Sequence, residues 1–221
     1  MYESLIKDFE ATKDNVFETL SFNFAKKELQ NSKSNLKFLI GVPGSGKTFF
    51  LNHLFPNHKI LSSLLTKEDI DKNLNENQLL IIDEAQMLDN SLIEYIRTLA
   101  DTQKYSFLLS MHTKEAKEIL NKDHFKSRNI DIIELQPITK QEMIQYINVK
   151  LLKNNANYLF SKKEFDIMYK YTKGNFRYIK KFVKTLFELL DFAIKNNIQK
   201  HSKINSCLIT MAAIKLGLED E

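Results

Sequence analysis

Two stretches of this chain hold residues whose types and spacing can do chemistry: "GVPGSGKT" at 41–48 and "LLIIDEAQML" at 79–88. In the first, Gly41, Gly46, Lys47 and Thr48 match the spacing G-x-x-x-x-G-K-[ST], with Val42, Pro43, Gly44 and Ser45 between them. Glycines at 44 and 46 let the backbone bend into a concave nest whose N–H groups point at phosphate oxygens. A helix starting at the end of the loop adds the partial positive charge of its N-terminus. The Lys47 ammonium then reaches the β- and γ-phosphates, and the Thr48 hydroxyl is an oxygen ligand for Mg2+. The expected nucleotide-binding set is Gly41 to Thr48 together with Phe49.

In the second stretch, four apolar residues at 79–82 run straight into Asp83 and Glu84. Such a run reads as a short strand buried on both faces. Ionised carboxylates at its end are costly unless something stabilises their charge. A magnesium nucleotide held by the upstream loop supplies that cation, so ATP and Mg2+ are the expected ligands. Asp83 can hold the metal directly or through a water, and Glu84 can orient or deprotonate the water that attacks the γ-phosphate. The plainer reading, in which both acids cap a helix beginning near Asn90, leaves the strand and the phosphate loop unexplained.

These residues need elements to position them. "NLKFLI" (35–40) reads as a strand entering the loop, and "FFLNHLF" (49–55) as the helix leaving it, stopped by Pro56. Further strands are expected at 58–61, 105–110 and 130–135. Helices are expected at 66–74, 90–101 (capped by Asn90 or Ser91) and 113–121. Strands alternating with helices of this length make a parallel sheet covered on both faces. After Pro137 the segments 139–153, 161–173, 175–197 and 204–218 all read as helix, with no strand signal. The expected fold class is α/β: a P-loop NTPase three-layer core with a parallel sheet, followed by a small all-α lid. The expected division is 1–137 for the core, with 1–34 as a helical lead-in, and 138–221 for the lid.

Composition bounds the function. With 221 residues and 27% charged side chains the chain is of ordinary globular type. No apolar run approaches the roughly 18–20 residues needed to span a bilayer. The start "MYESLIKDFE" lacks the regions of a signal peptide, and the single Cys207 excludes an internal disulfide. The expected location is the cytoplasm, with peripheral attachment to the inner face of the membrane as an extension of that reading. The five histidines and Cys207 show no metal-ligand spacing. The formal charge of +4 is unevenly divided: residues 1–137 hold 17 Lys/Arg against 20 Asp/Glu, and residues 138–221 hold 15 against 8. A basic second half can meet an anionic partner such as nucleic acid or acidic lipid, or can simply be a set of solvated helix faces.

Taken together, the phosphate loop, "LIIDEAQML" and the later helical region resemble the AAA+ ATPases, most of all the ExeA-type general-secretion ATPases and their relatives in transposition and replication initiation. The likeness rests on Asp83, Glu84, Ala85, Gln86 and Leu88, on Arg128 before "NIDIIEL", on "QPIT" at 136–139 and on "GNFR" at 174–177. The resemblance implies that Arg177 is a lid arginine contacting the γ-phosphate of its own subunit. It implies that Arg128 is an arginine finger acting in trans on a neighbour, and hence that the active form is a homo-oligomer. It implies a polar sensor at the end of the fourth core strand, where Ser110, His112 and Thr113 are the candidates. The implied work is ATP hydrolysis in the service of a protein partner in a secretion, pilus or DNA-uptake machine. The alternatives are a DNA-associated ATPase using the basic lid half, or a nucleotide-gated binding protein without turnover. Two departures from the family pattern stand out: only 35 residues separate Lys47 from Asp83, and Phe176 stands where relatives often have proline.

Overall fold

The computed structural model describes residues 2–10, 17–62, 64–76, 78–156 and 158–218. They form two compact units, one of residues 20–136 and one that joins residues up to 19 to residues from 137 onward. In chain order the elements are α1 (Glu3–Glu10), α2 (Leu20–Asn31), β1 (Leu36–Gly41), α3 (Lys47–Leu54), β2 (Ile60–Ser62) and α4 (Lys67–Asp71). Next come β3 (Leu79–Asp83), α5 (Asn90–Asp101), β4 (Ser106–His112), α6 (Thr113–Leu120), α7 (Asp123–Lys126) and β5 (Asp131–Glu134). The rest is α8 (Lys140–Lys153), α9 (Lys162–Thr172), α10 (Phe176–Lys195) and α11 (Ser206–Lys215).

The first unit is a five-stranded sheet in the order β2-β3-β4-β1-β5, with every pairing parallel. Both faces are covered, which is why the strands read as near-continuous apolar runs. Leu39, Ile81, Leu108 and Ile133 pack on one face against Phe22 of α2 and Phe50 and Leu51 of α3. Phe38, Leu80, Ile82, Phe107 and Leu109 pack on the other, against Ile93 and Ile96 of α5, Ala116 and Ile119 of α6 and Phe125 of α7. Strand β4 outruns the expected 105–110 and continues to His112, because Met111 and His112 pair with Ile40 and Gly41 at the end of β1. The cap of α5 is Asp89, not Asn90 or Ser91, and its side chain makes no capping bond.

The second unit is all helical, and α10 runs through its core. Of "KKFVKTLFELL", Phe182, Val183, Leu186, Phe187 and Leu190 are buried among residues of α8, α9 and α11. Capping boxes start α8 at Thr139 with Glu142 and α9 at Ser161 with Glu164, as their sequences require. The expected lead-in 1–34 divides: α2 covers the sheet, whereas α1 belongs to the helical unit. Leu5 and Phe9 of α1 are buried there, and the Phe9 ring meets Tyr146 of α8 edge-on at 5.9 Å.

A buried ion pair ties α1 in place. Lys150 Nζ donates to Asp8 Oδ1 at 3.0 Å, with side-chain exposures of 6% and 14%, and Lys153 and Asn154 also donate to the same carboxylate. Burial alone raises the Asp8 pKa; the hydrogen bonds from Lys150, Asn154 and Lys153 outweigh it and hold the carboxyl below its ordinary range. Its stabilising contribution is therefore present above the ordinary carboxylate pKa of about 3.9 and is lost as pH falls from there through the depressed folded value. Asp8→Ala is expected to cost about 1.5–3 kcal/mol at pH 7, because it removes the charged acceptor of the hydrogen bonds from Lys150, Lys153 and Asn154. Thermal unfolding of parent and variant at pH 7 and near pH 3 checks this; the gap should narrow at the acid end.

Candidate nucleotide-binding site

The site builds from the carboxyl ends of β1 and β3, where parallel α/β sheets bind ligands. After Gly41 the chain turns on itself, Ser45 N donating to Val42 O at 3.1 Å. Gly44 and Gly46 have φ of 80° and 97°, in the left-handed region that glycine enters without steric cost. Gly46 is the N-cap of α3 and offers no side-chain cap, and the first helical bond is Phe50 N to Gly46 O at 2.8 Å. The N–H groups of Lys47, Thr48 and Phe49 consequently face out of the helix start, the arrangement that receives an anion. Gly41 itself is closely packed: a Cβ there would lie 2.5 Å from Ser45 Oγ and 2.7 Å from Leu135 O.

Lys47 is buried to 9% exposure and folds back over its own loop, donating to Gly41 O at 2.8 Å and Val42 O at 3.2 Å. Its ammonium is thus held at the loop it would serve. Thr48 Oγ1 donates to Asp83 Oδ2 at 2.7 Å, which joins the start of α3 to the end of β3. Asp83 is buried, and its other oxygen accepts from Glu84 N at 3.0 Å. A hydroxyl and a carboxylate this close form a hard-oxygen donor pair of the kind Mg2+ takes alongside phosphate oxygens and water. One hydroxyl and one carboxylate leave most positions around such an ion to phosphate oxygens and water, so the pair fits an ion that arrives with a nucleotide.

Glu84 follows with φ 56° and ψ 35°, an unusual conformation for a residue with a side chain. Its side chain is exposed where Asp83 before it is buried, and Gln86 Nε2 donates to its Oε2 at 3.0 Å. Of the three sensor candidates, Ser110 lies beside Leu39 in the β1–β4 register, on the sheet face that α3 covers. Its hydroxyl is buried and has no partner among the described residues. His112, two residues on, pairs with Gly41, and its Nδ1 lies 4.0 Å from Glu115. Thr113 has already begun α6. Phe49 turns its ring to Phe22 and His53, so what it offers the loop is its backbone N–H.

Arg128 sits just before β5, away from the strand ends that carry the loop. Its Nε donates to Asp101 at 2.8 and 3.0 Å and its Nη1 to the His124 carbonyl. Asp101 is shared with Arg97, at 2.7 Å. In the helical unit, Arg177 is exposed on the first turn of α10. The motif around it is locked to the Pro137 junction: Ile138 N donates to Gly174 O at 3.0 Å and Tyr169 Oη to Ile138 O at 3.2 Å. Gly174 has φ 71°, and a Cβ there would stand 2.4 Å from Ile138 O. "QPIT" and "GNFR" are thus two halves of one joint. Phe176 takes the first helical position, one that proline fills well, and its ring packs 4.7 Å from Tyr146.

In the sequence Gln86 is only one member of a pattern; its bond to Glu84 is what the fold adds.

No protein-family model and no curated protein matches the sequence. Solved structures do. A Thermotoga maritima RuvB variant superposes with a TM-score of 0.58 at 20% identity, over 100% of this chain and 71% of that one. Domain III of the Thermotoga maritima replication initiation protein DnaA gives 0.52 at 15% identity, over 92% and 94%. A Walker-type ATPase of Pyrococcus abyssi gives 0.58 at 12% identity, over 83% and 72%. At these identities the likeness is one of fold: a five-stranded parallel α/β sheet of the P-loop type, covered by helices and joined to a helical C-terminal part.

Proposed function

We propose that the chain binds Mg-ATP and hydrolyses it. The observation that carries the reading is the 2.7 Å contact between Thr48 Oγ1 and Asp83 Oδ2, with Glu84 next in the chain. It brings the phosphate loop and the acidic strand end, 35 residues apart, to one place. Mg2+, when bound, neutralises phosphate charge and shapes the triphosphate. Lys47 binds the β- and γ-phosphates, the N–H groups of the loop and of the α3 start hold the remaining oxygens, and Thr48 and Asp83 hold the ion. Glu84 takes the proton of the attacking water as its oxygen bonds to the γ-phosphorus and the bond to the β-phosphate oxygen breaks. In the same reading Ser110 is the group that reports on the γ-phosphate, supported by its buried hydroxyl without a partner among the described residues, and Arg177 is the lid arginine, whose guanidinium makes a lid respond to nucleotide.

Arg128 enters the same reading as the trans group of an oligomer. Its tie to Asp101 positions it in the free chain, and an incoming γ-phosphate must compete with that carboxylate. The work served is either an envelope machine of the ExeA kind or DNA; the +7 charge of residues 138–221 and the likeness to a replication initiation protein favour testing DNA first. The test is ATP turnover against protein concentration, with and without Mg2+ and duplex DNA. Metal-dependent release of phosphate is expected. Turnover that rises with concentration supports the trans arginine, and stimulation by DNA that fades with salt supports the DNA role. A chain that neither binds nor hydrolyses Mg-ATP at any concentration sinks the reading.

A further inference from the structure

Glutamine is a poor choice for position 86 on folding grounds alone. The side chain is half-buried on a 3-10 turn (Ala85–Met87), between the fully buried Ala85 and the buried Leu88. Its carbonyl oxygen Oε1 is buried and receives no hydrogen bond from the described residues. Burying an amide acceptor without a donor is unfavourable, and an apolar side chain of the same shape avoids that cost. The hydrogen bond that this amide does make is the one from Nε2 to Glu84 Oε2 at 3.0 Å. The side chain thus spends its donor on the carboxylate two residues earlier and leaves its acceptor idle.

Glu84 needs such a hold. It is exposed, and Gln86 is the partner its carboxylate has among the described residues. With χ1 and χ2 each free to take three staggered positions, an unheld glutamate spreads over about nine arrangements. A base must stand within hydrogen-bond reach of the water it deprotonates, so most of those are idle. We infer that Gln86 is a positioning residue for hydrolysis: it pins Glu84 through Oε2 and leaves Oε1 to accept the proton. Because the donor is neutral, the hold restrains the carboxylate without adding a charge beside it. This inference rests on the proposed ATPase activity.

The experiment compares the parent, Gln86→Met, Glu84→Gln and the double variant in kcat, in affinity for Mg-ATP by a fluorescent ATP analogue, and in Tm. For Gln86→Met the expected result is a kcat lower by about tenfold, the number of arrangements released. Affinity should stay within about twofold, since the hydrogen bond of Gln86 goes to Glu84 and the phosphates are held by Lys47, Thr48 and the loop N–H groups. The Tm should be no lower, because the idle acceptor has gone. In the Glu84→Gln background the same change should have no further effect on kcat, as two residues acting as one unit require. Turnover of Gln86→Met equal to or above the parent's overturns the inference while leaving the ATPase reading intact. So does an equal loss in the Glu84→Gln background, which means that the turn itself was damaged. A parent chain without turnover overturns both.

Discussion

Lys47→Ala is expected to remove Mg-ATP binding and all turnover above background while the protein stays folded. The ammonium donates to Gly41 O and Val42 O, so its charge is already gathered at the loop mouth. Hydrogen bonds to a charged group contribute about 1.5–3 kcal/mol each, so losing two at the phosphates weakens binding by about 100-fold or more. The cost to the fold is smaller, about 1 kcal/mol for carbonyls that lose a donor at the edge of a loop. Thermal unfolding separates the two effects. Mg-ATP at about 100 times the parent's dissociation constant should stabilise the parent by about 2.7 kcal/mol and the variant by no more than about 0.4 kcal/mol. A variant that gains as much stability from Mg-ATP as the parent would place the phosphates elsewhere.

What was legible in the sequence was local. A polar cap with an acid three residues on announced α4 at Thr66, which forms its reciprocal box; α8 and α9 were legible as helical segments, and the boxes at Thr139 and Ser161 show how they start. Apolar runs ending in Gly41 and Asp83 placed β1 and β3, because strands buried on both faces leave no alternation to misread. Helix α7, at four residues, is too short to show periodicity. The end of β4 was hidden because the polar His112, followed by Thr113, looks like a loop residue, and only pairing with β1 carries the strand through Met111 and His112. Helix α1 shows an amphipathic face without saying what covers it; the answer lies 142 residues away, in the pairing of Asp8 with Lys150. The site divides the same way. The loop and the two acids are contiguous motifs, whereas the ties of Arg128 to Asp101 and of Gly174 to Ile138 depend on the tertiary fold.

The second of these ties fixes the start of α10. The joint between "QPIT" and "GNFR" is built so that Gly174 admits no side chain and Ile138 is bonded through both N–H and carbonyl. Asn175 then caps α10 through the N–H of Tyr178 at 3.1 Å. Arg177 therefore stands on a firmly held helix start, and the buried face of α10 extends from there through Leu190.

Glu84→Gln should separate binding from chemistry. Glutamine keeps the length of the side chain, and its carbonyl oxygen can still accept from Gln86, so the turn is preserved while the basicity is lost. Removing a positioned base costs typically 10²–10⁴ in rate, and kcat is expected to fall by about that much. Affinity for Mg-ATP should stay within about threefold, because Lys47, Thr48 and Asp83 keep their places. The backbone sharpens the test. Glu84 has φ 56°, a conformation that costs a residue with a side chain on the order of 1 kcal/mol and that glycine adopts freely. Glu84→Gly should therefore be as inactive as Glu84→Gln yet no less stable than the parent, so that activity is lost where backbone strain is relieved. Full turnover in Glu84→Gln would mean that another group moves the proton, and that the chain uses its nucleotide in some other way than through the acid at the end of β3.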